Sequence, residues 1–372
     1  MQYLWRVEAP LHAVNHPFFM HEILAFSAFH KAYKLPDQRS QYYAFGVHHQ
    51  DLTIRGMRQK LLNVTAHEAP AIFATSTLLT LSVFASTGFE LNHAEIPSSQ
   101  GAIDGILNIF HLMLGMGNVL ALAQIYLVES FIAPLFRDSP EAIPSQPMLQ
   151  ELSDKIPNLV TFIESRIDLP ELEKRIYLST IASLESVLKT AMAPCIDNRE
   201  LQFLFLWPMH LSQEFLTFLR QRHAGAIAVV MYYSTMLFAA QSRYWFMKGW
   251  GEQLMRACIE TIDEDWESGV QWPSSFINDR PSWSLFTNLA QNRYGMNIPL
   301  SAPRVNAFAY GHQTSTEVSH RQYIAAPSTE IQARNNSNKG AYSQHANIST
   351  TMHKQQASAT IHTKRPGPSE DA

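Results

Sequence analysis

Apolar side chains recur along this chain at helical spacing. After His16-Pro17, residues Phe19, Ile23 and Phe26 fall at i, i+4 and i+7. This is one face of a 3.6-residue repeat, and Pro17 suits a first turn, where its missing N–H has no bond to lose. Leu35-Pro36-Asp37 closes the segment. A second helix is predicted from Arg39, with Tyr43, Val47, Ile54, Met57 and Leu61 on one face and Asp51, Arg55 and Lys60 elsewhere on the wheel. Further on, Asp168-Leu-Pro170 opens a helix carrying Tyr177, Ile181, Leu184 and Leu188, which ends by Pro194. Helices are also predicted over residues 211–222 and 245–266, with Trp272-Pro273 closing the structured part and a weaker apolar segment at 282–289. The chain has no Asn-Gly hairpin signal, so the pattern implies an all-α, multi-helix domain.

Three stretches carry no charge if His is neutral: residues 69–89, 106–128 and 223–242. Their lengths approach that of a membrane span. Asn108, His111, Asn118 and Gln124 in one run, and Thr75, Ser76, Thr77, Thr80 and Ser82 in another, favour helices enclosed in a large soluble bundle. A multi-span membrane protein is the alternative reading. Thr65-Ala-His-Glu68 has the form of a capping box before the first run, and the Pro-rich stretch 138–147 reads as an exposed loop.

Composition divides the chain in two. Overall it has 28 Lys and Arg against 32 Asp and Glu. Residues 301–372 contain no Leu, Trp or Cys, and 27 of these 72 positions are Ser, Thr, Asn or Gln. Such a segment buries too little surface to offset its chain entropy, so a disordered polar tail of net charge +3 is expected after a domain, residues 1–300, of net charge −7. An acidic body does not wrap nucleic acid by itself. Cys195 and Cys258 supply neither a four-ligand zinc site nor a disulfide framework, and the first residues lack a secretory pattern, so an intracellular protein is expected.

The 16 His residues form no recognisable metal or catalytic set. His16 precedes Pro17 and leaves the helical face of His12, and His48-His49 point apart as helical neighbours do. Neither His21-Glu22 nor His67-Glu68 reaches the second His of a zinc-protease helix. Gly115-Met-Gly117 lacks the third glycine of a dinucleotide loop, and no nucleophile elbow or phosphate loop occurs. The expectation is a non-enzyme with no cofactor and no metal. Large soft side chains are abundant instead, and these suit either an apolar pocket between helices or plain core packing.

The run from His16-Pro-Phe-Phe-Met-His-Glu22 through Ile23-Leu-Ala-Phe-Ser-Ala-Phe-His30, then Tyr42-Tyr43, His49-Gln50 and Arg58-Gln-Lys-Leu61, resembles the regulatory domain of fungal Zn(II)2Cys6 transcription factors of the sterol-uptake-control type. Residues 71–79 and Phe110-His-Leu-Met-Leu-Gly115 are similar to its next elements. Trp207-Pro208, Tyr232-Tyr233, Gly249 and Trp272-Pro273 continue the order. Leu114 and His223-Ala-Gly225 depart from it, where the family has Arg and Pro.

The resemblance implies a nuclear transcription regulator that senses a hydrophobic, sterol-like molecule and works through protein partners of the transcription machinery. Control of sterol-related genes or of a secondary-metabolite cluster follows from the same likeness. In that family six cysteines build the DNA reader, so this chain is expected to reach DNA only indirectly unless a zinc cluster lies upstream. Met113, Met116, Tyr232, Phe238, Trp245, Phe246 and Gly249 are the candidate pocket lining. A small-molecule binding or scaffold protein without promoter function is the alternative.

Overall fold

The computed structural model describes residues 3–93, 96, 101–136, 147–191, 204–241 and 244–278. Among these, every regular element is helical and no strand occurs, as the periodicity implies. The described residues belong to one compact unit, Met1–His312. The predicted tail, the segment 282–289 and most of the Pro-rich loop lie outside them.

A short N-terminal turn leads into α1 (Ala9–Ala13), and α2 (Pro17–Lys34) begins at the proline that marks it in the sequence. Helix α3 (Arg39–Lys60) runs back antiparallel along α2: Thr53 Oγ1 donates to the Phe18 carbonyl at 3.2 Å, while Gly46 faces the Phe29 ring. The edge of α3 that is fully buried is Gly46, Gln50, Thr53 and Met57, of which only Met57 belongs to the predicted apolar face. Tyr43, Val47 and Ile54 are only half-buried, because the bulky rings of α2 fill the seam and leave room for small or polar partners.

Helices α4 (Ala69–Asn92) and α5 (Ala102–Leu127) form the next antiparallel pair, with Thr87 opposite Gly105 and Thr77 opposite Met116. Thr65 and Glu68 are hydrogen-bonded before α4 as a capping box requires: Glu68 N donates to Thr65 Oγ1 at 3.3 Å and Thr65 Oγ1 donates to Glu68 Oε2 at 3.4 Å. Both helices have the length and apolar composition to cross a membrane. In α4, 83% of the most apolar window is buried inside the protein, against 50% in α5.

Helix α6 (Pro147–Ser165) begins where the predicted loop ends and was not among the predicted helices. Leu149, Leu152, Ile156, Leu159 and Ile163 are all buried along one edge, and that period outweighs the bond lost at Pro157. Helix α7 (Glu171–Ala191) packs against it, followed by α8 (Gln213–Arg220), which Ser212 caps by accepting Phe215 N–H at 3.1 Å. Asp168 does not cap α7; its carboxylate pairs with Arg166 at 2.6 Å.

Helix α9 (Ala224–Ala240) is central, and α10 (Trp250–Thr261) and α11 (Glu267–Asn278) pack on it. The predicted single helix over 245–266 is therefore divided. Gly249 adopts φ +81, which separates a one-turn 3-10 segment, Trp245–Met247, from α10. Nor does Trp272-Pro273 end the structured part, for α11 runs through both. Pro273 cannot donate to the Gly269 carbonyl one turn back, and the Tyr232 hydroxyl of α9 donates to that oxygen instead, at 3.1 Å. A neighbouring helix thus satisfies the acceptor that the proline leaves open.

The α9–α10 crossing is close enough that a Cβ at Gly251 would overlap the backbone of Phe238, whereas a Cβ at Gly115 in α5 would meet nothing within 4 Å. Gly251→Ala should destabilise the fold by about 2 kcal/mol or more through overpacking, while Gly115→Ala should stabilise it by ~0.5–1 kcal/mol through helix propensity. Urea unfolding followed by circular dichroism measures both.

Candidate functional site

The seven residues singled out for an apolar pocket fall in three places. Met113 and Met116 are buried on the inner side of α5, where Thr77 Oγ1 lies 3.4 Å from the Met116 sulfur. Tyr232 and Phe238 face α11: the Tyr232 ring lies against Trp272, and Phe238 stands edge-on to Phe276, with centroids 5.6 and 5.7 Å apart. Burial pushes the Tyr232 hydroxyl up to about 12, so it remains a donor to Gly269 at any ordinary pH.

Trp245, Phe246 and Gly249 form the third group, at the turn before α10. The Trp245 ring packs on Phe26, His30 and Tyr33 of α2, with centroids 5.2, 5.0 and 5.7 Å away, and remains partly exposed. Lys248 Nζ stands 5.5 Å over Tyr33. The turn is held by side-chain amides: Gly249 N donates to Gln241 Oε1 at 3.1 Å, and Asn92 Nδ2 donates to the Lys248 carbonyl at 3.4 Å. Gly249 thus sets the direction of the chain at this turn. Burial and Lys34 hold the His30 imidazole beside the Trp245 ring below its usual range.

A groove of about 450 Å³ lies further along α5, lined among the described residues by Ala121, Leu122, Gln124, Ile125 and Val128. Over the last two turns of α5 only Ala123 and Leu127 face inward, and Leu122 and Ile125 are 68% and 72% exposed. The lining is apolar apart from the Gln124 amide, which offers both a donor and an acceptor. That chemistry fits an apolar molecule with one hydroxyl or carbonyl at its edge. Sequence reasoning missed these residues because it looked for soft aromatic side chains; the signal was the uncharged run itself, continued to its exposed end.

Among the described residues no three His, Cys, Asp or Glu side chains group to hold a metal ion. Cys258 is fully buried, and burial pushes its thiol up to about 12, so it acts as a small packing group in α10.

No family model matches the chain. It is similar to Sterol uptake control protein 2 of Candida albicans, with 25% identity over 260 residues, which cover 66% of this chain and 35% of that protein. The chain thus spans about a third of the length of the curated relative it matches.

Gly249→Ala should cost about 1–3 kcal/mol, because an L-residue is strained at φ +81 and its Cβ would collide with the Asn92 amide. The double variant with Asn92→Ala relieves the collision but not the backbone strain, so chemical denaturation should show partial recovery only.

Proposed function

We propose that this chain is the regulatory domain of a fungal transcription regulator that senses an apolar, sterol-like molecule, and that it acts in the nucleus through protein partners, reaching DNA indirectly. The groove on α5 carries the reading: a mainly apolar surface with one side-chain amide, in a chain similar to a sterol uptake control protein. Met113 and Met116 lie on the same helix, buried on its inner side one to three turns before the groove. A ligand shifts such a domain between states only by binding one of them more tightly. The end of α5 is well placed to change its packing, since only Ala123 and Leu127 of its last two turns are buried.

The similarity to a control protein is the support for a non-enzymatic role. Control of a particular gene set, sterol-related or secondary-metabolic, is part of the same proposal. A binding or scaffold protein without promoter function has the same groove, and chromatin association in the native host separates the two. Promoter occupancy together with an altered transcript profile on deletion supports the regulator; sterol binding without either supports the alternative.

Titration of the full chain with a fluorescent sterol tests the ligand. Saturable binding is expected, weakened at least about ten-fold by Leu122→Asp or Ile125→Asp, which place a carboxylate in the apolar groove. Both positions are exposed, so thermal stability should change little. Binding that is absent, or unaltered in both variants, overturns the assignment.

A further inference from the structure

Helix α2 carries a carboxyl group to which the packing gives no counter-charge. Glu22 is fully buried where α2 meets α3 and α4. The Ser82 hydroxyl of α4 donates to its Oε1. The Thr53 hydroxyl of α3 lies beside it, and Oε2 has no hydrogen-bond partner. Gln50 Nε2, one turn before Thr53 on the buried edge of α3, also lacks one.

The ionisable groups of the surrounding elements all lie off this seam. On α2 the neighbour is His21, whose Nδ1 meets Nδ1 of His49 on α3 at 2.9 Å, with His48 beyond it. On α3, Asp51 pairs with Arg55 at 2.7 Å, and Arg58 lies toward the start of α2, past the Gly56–Phe18 contact. Helix α4 has no charged side chain between Glu68, which binds Lys60 at 2.5 Å, and Glu90, which accepts the Tyr43 hydroxyl at 2.7 Å. His12 and His16 stand by the start of α2, and His30, Lys31, Lys34, Tyr244 and Lys248 toward its end.

A carboxylate buried this way is far more costly than a carboxylic acid. We infer that Glu22 is the proton-binding element of a latch: its protonated carboxyl holds α2 against α4 through Ser82, and loss of the proton loosens α2 from the seam. Because the last turns of α2 carry Phe26, His30 and Tyr33 against Trp245, the loosening reaches the turn that opens α10.

The direction of the response follows from the two kinds of group. Burial raises Glu22 from 4.5 to about 7, against the opposing pull of Ser82 and Thr53. Its contribution to stability is therefore present in full below about 4.5 and is lost as pH rises through about 7. The His21–His49 contact responds in the opposite sense. It needs one neutral ring to accept, and burial with His21 and His48 lowers His49, so its contribution is full above the ordinary 6.5 and is lost as pH falls.

Hydrogen exchange of the full chain at pH 6 and pH 8, corrected for intrinsic rates, tests the latch. The opening equilibrium of α2 should rise about ten-fold from pH 6 to pH 8 in the wild type, from the raised Glu22 value. Glu22→Gln keeps the shape without the titration and should remove that rise; the same rise in the variant overturns the proposal. If the variant fails to fold, isotope-edited infrared spectra of wild-type protein carrying labelled glutamate decide the matter. A buried protonated carboxyl band at pH 6 that fades by pH 8 supports the latch, and its absence at both overturns it.

Discussion

The indole of Trp250 joins three helices at one point. It is fully buried, its Nε1–H donates to the Phe84 carbonyl of α4 at 2.7 Å, and its ring stands edge-on to Phe84 with centroids 5.5 Å apart. The seat is cut by two glycines: a Cβ at Gly88 would lie 3.1 Å from Nε1, and one at Gly105 of α5 would lie 3.0 Å from the far edge of the ring. So large a side chain is accommodated only because α4 and α5 present bare backbone at these positions. With the indole held there, the start of α10 is fixed. The chain then has to turn sharply at Gly249, and Trp245 is delivered against α2. The arrangement of α2, α4, α5 and α10 follows from this one seat.

A second aromatic centre serves the other half. Trp207 is fully buried, donates to the Thr180 carbonyl of α7 at 3.2 Å and packs on Tyr233 of α9 and Phe110 of α5. Tyr233 in turn donates to the Leu204 carbonyl at 2.8 Å. Buried Trp and Tyr side chains here supply both apolar area and the hydrogen-bond donors that irregular backbone needs. Tyr232 does the same for the acceptor that Pro273 leaves open. Trp207, Tyr232 and Tyr233 thus each bind a backbone acceptor, while the side chains lining the α5 groove are aliphatic apart from Gln124.

The two long uncharged helices show why composition alone does not place a helix in protein or lipid. In α4, the hydroxyls of Thr75, Ser76, Thr77 and Thr80 donate to the carbonyls one turn back at 2.6, 2.9, 3.0 and 2.9 Å. Such hydroxyls satisfy themselves in any medium, so their presence did not argue against a membrane. The informative group is Glu22, whose carboxyl the sequence shows only as one more charge on an amphipathic helix. Its burial depends on Ser82, 60 residues away, and on the small side chains along α3.

Helical periodicity and proline positions determined the all-α class and the starts of α2 and α3, because these are local properties of the backbone. The same local reasoning failed where a distant group compensates. Trp272-Pro273 read as an end, yet α11 runs through it and borrows a hydroxyl from α9. Conversely, residues 245–266 read as one helix, and the seat of Trp250 forces them apart at Gly249. The uncharged run of α5 was legible as apolar, but only the tertiary structure decided that one half is enclosed and the other is left bare as a groove. A residue's type is written in the chain; which neighbours surround it is decided by contacts between segments far apart in sequence.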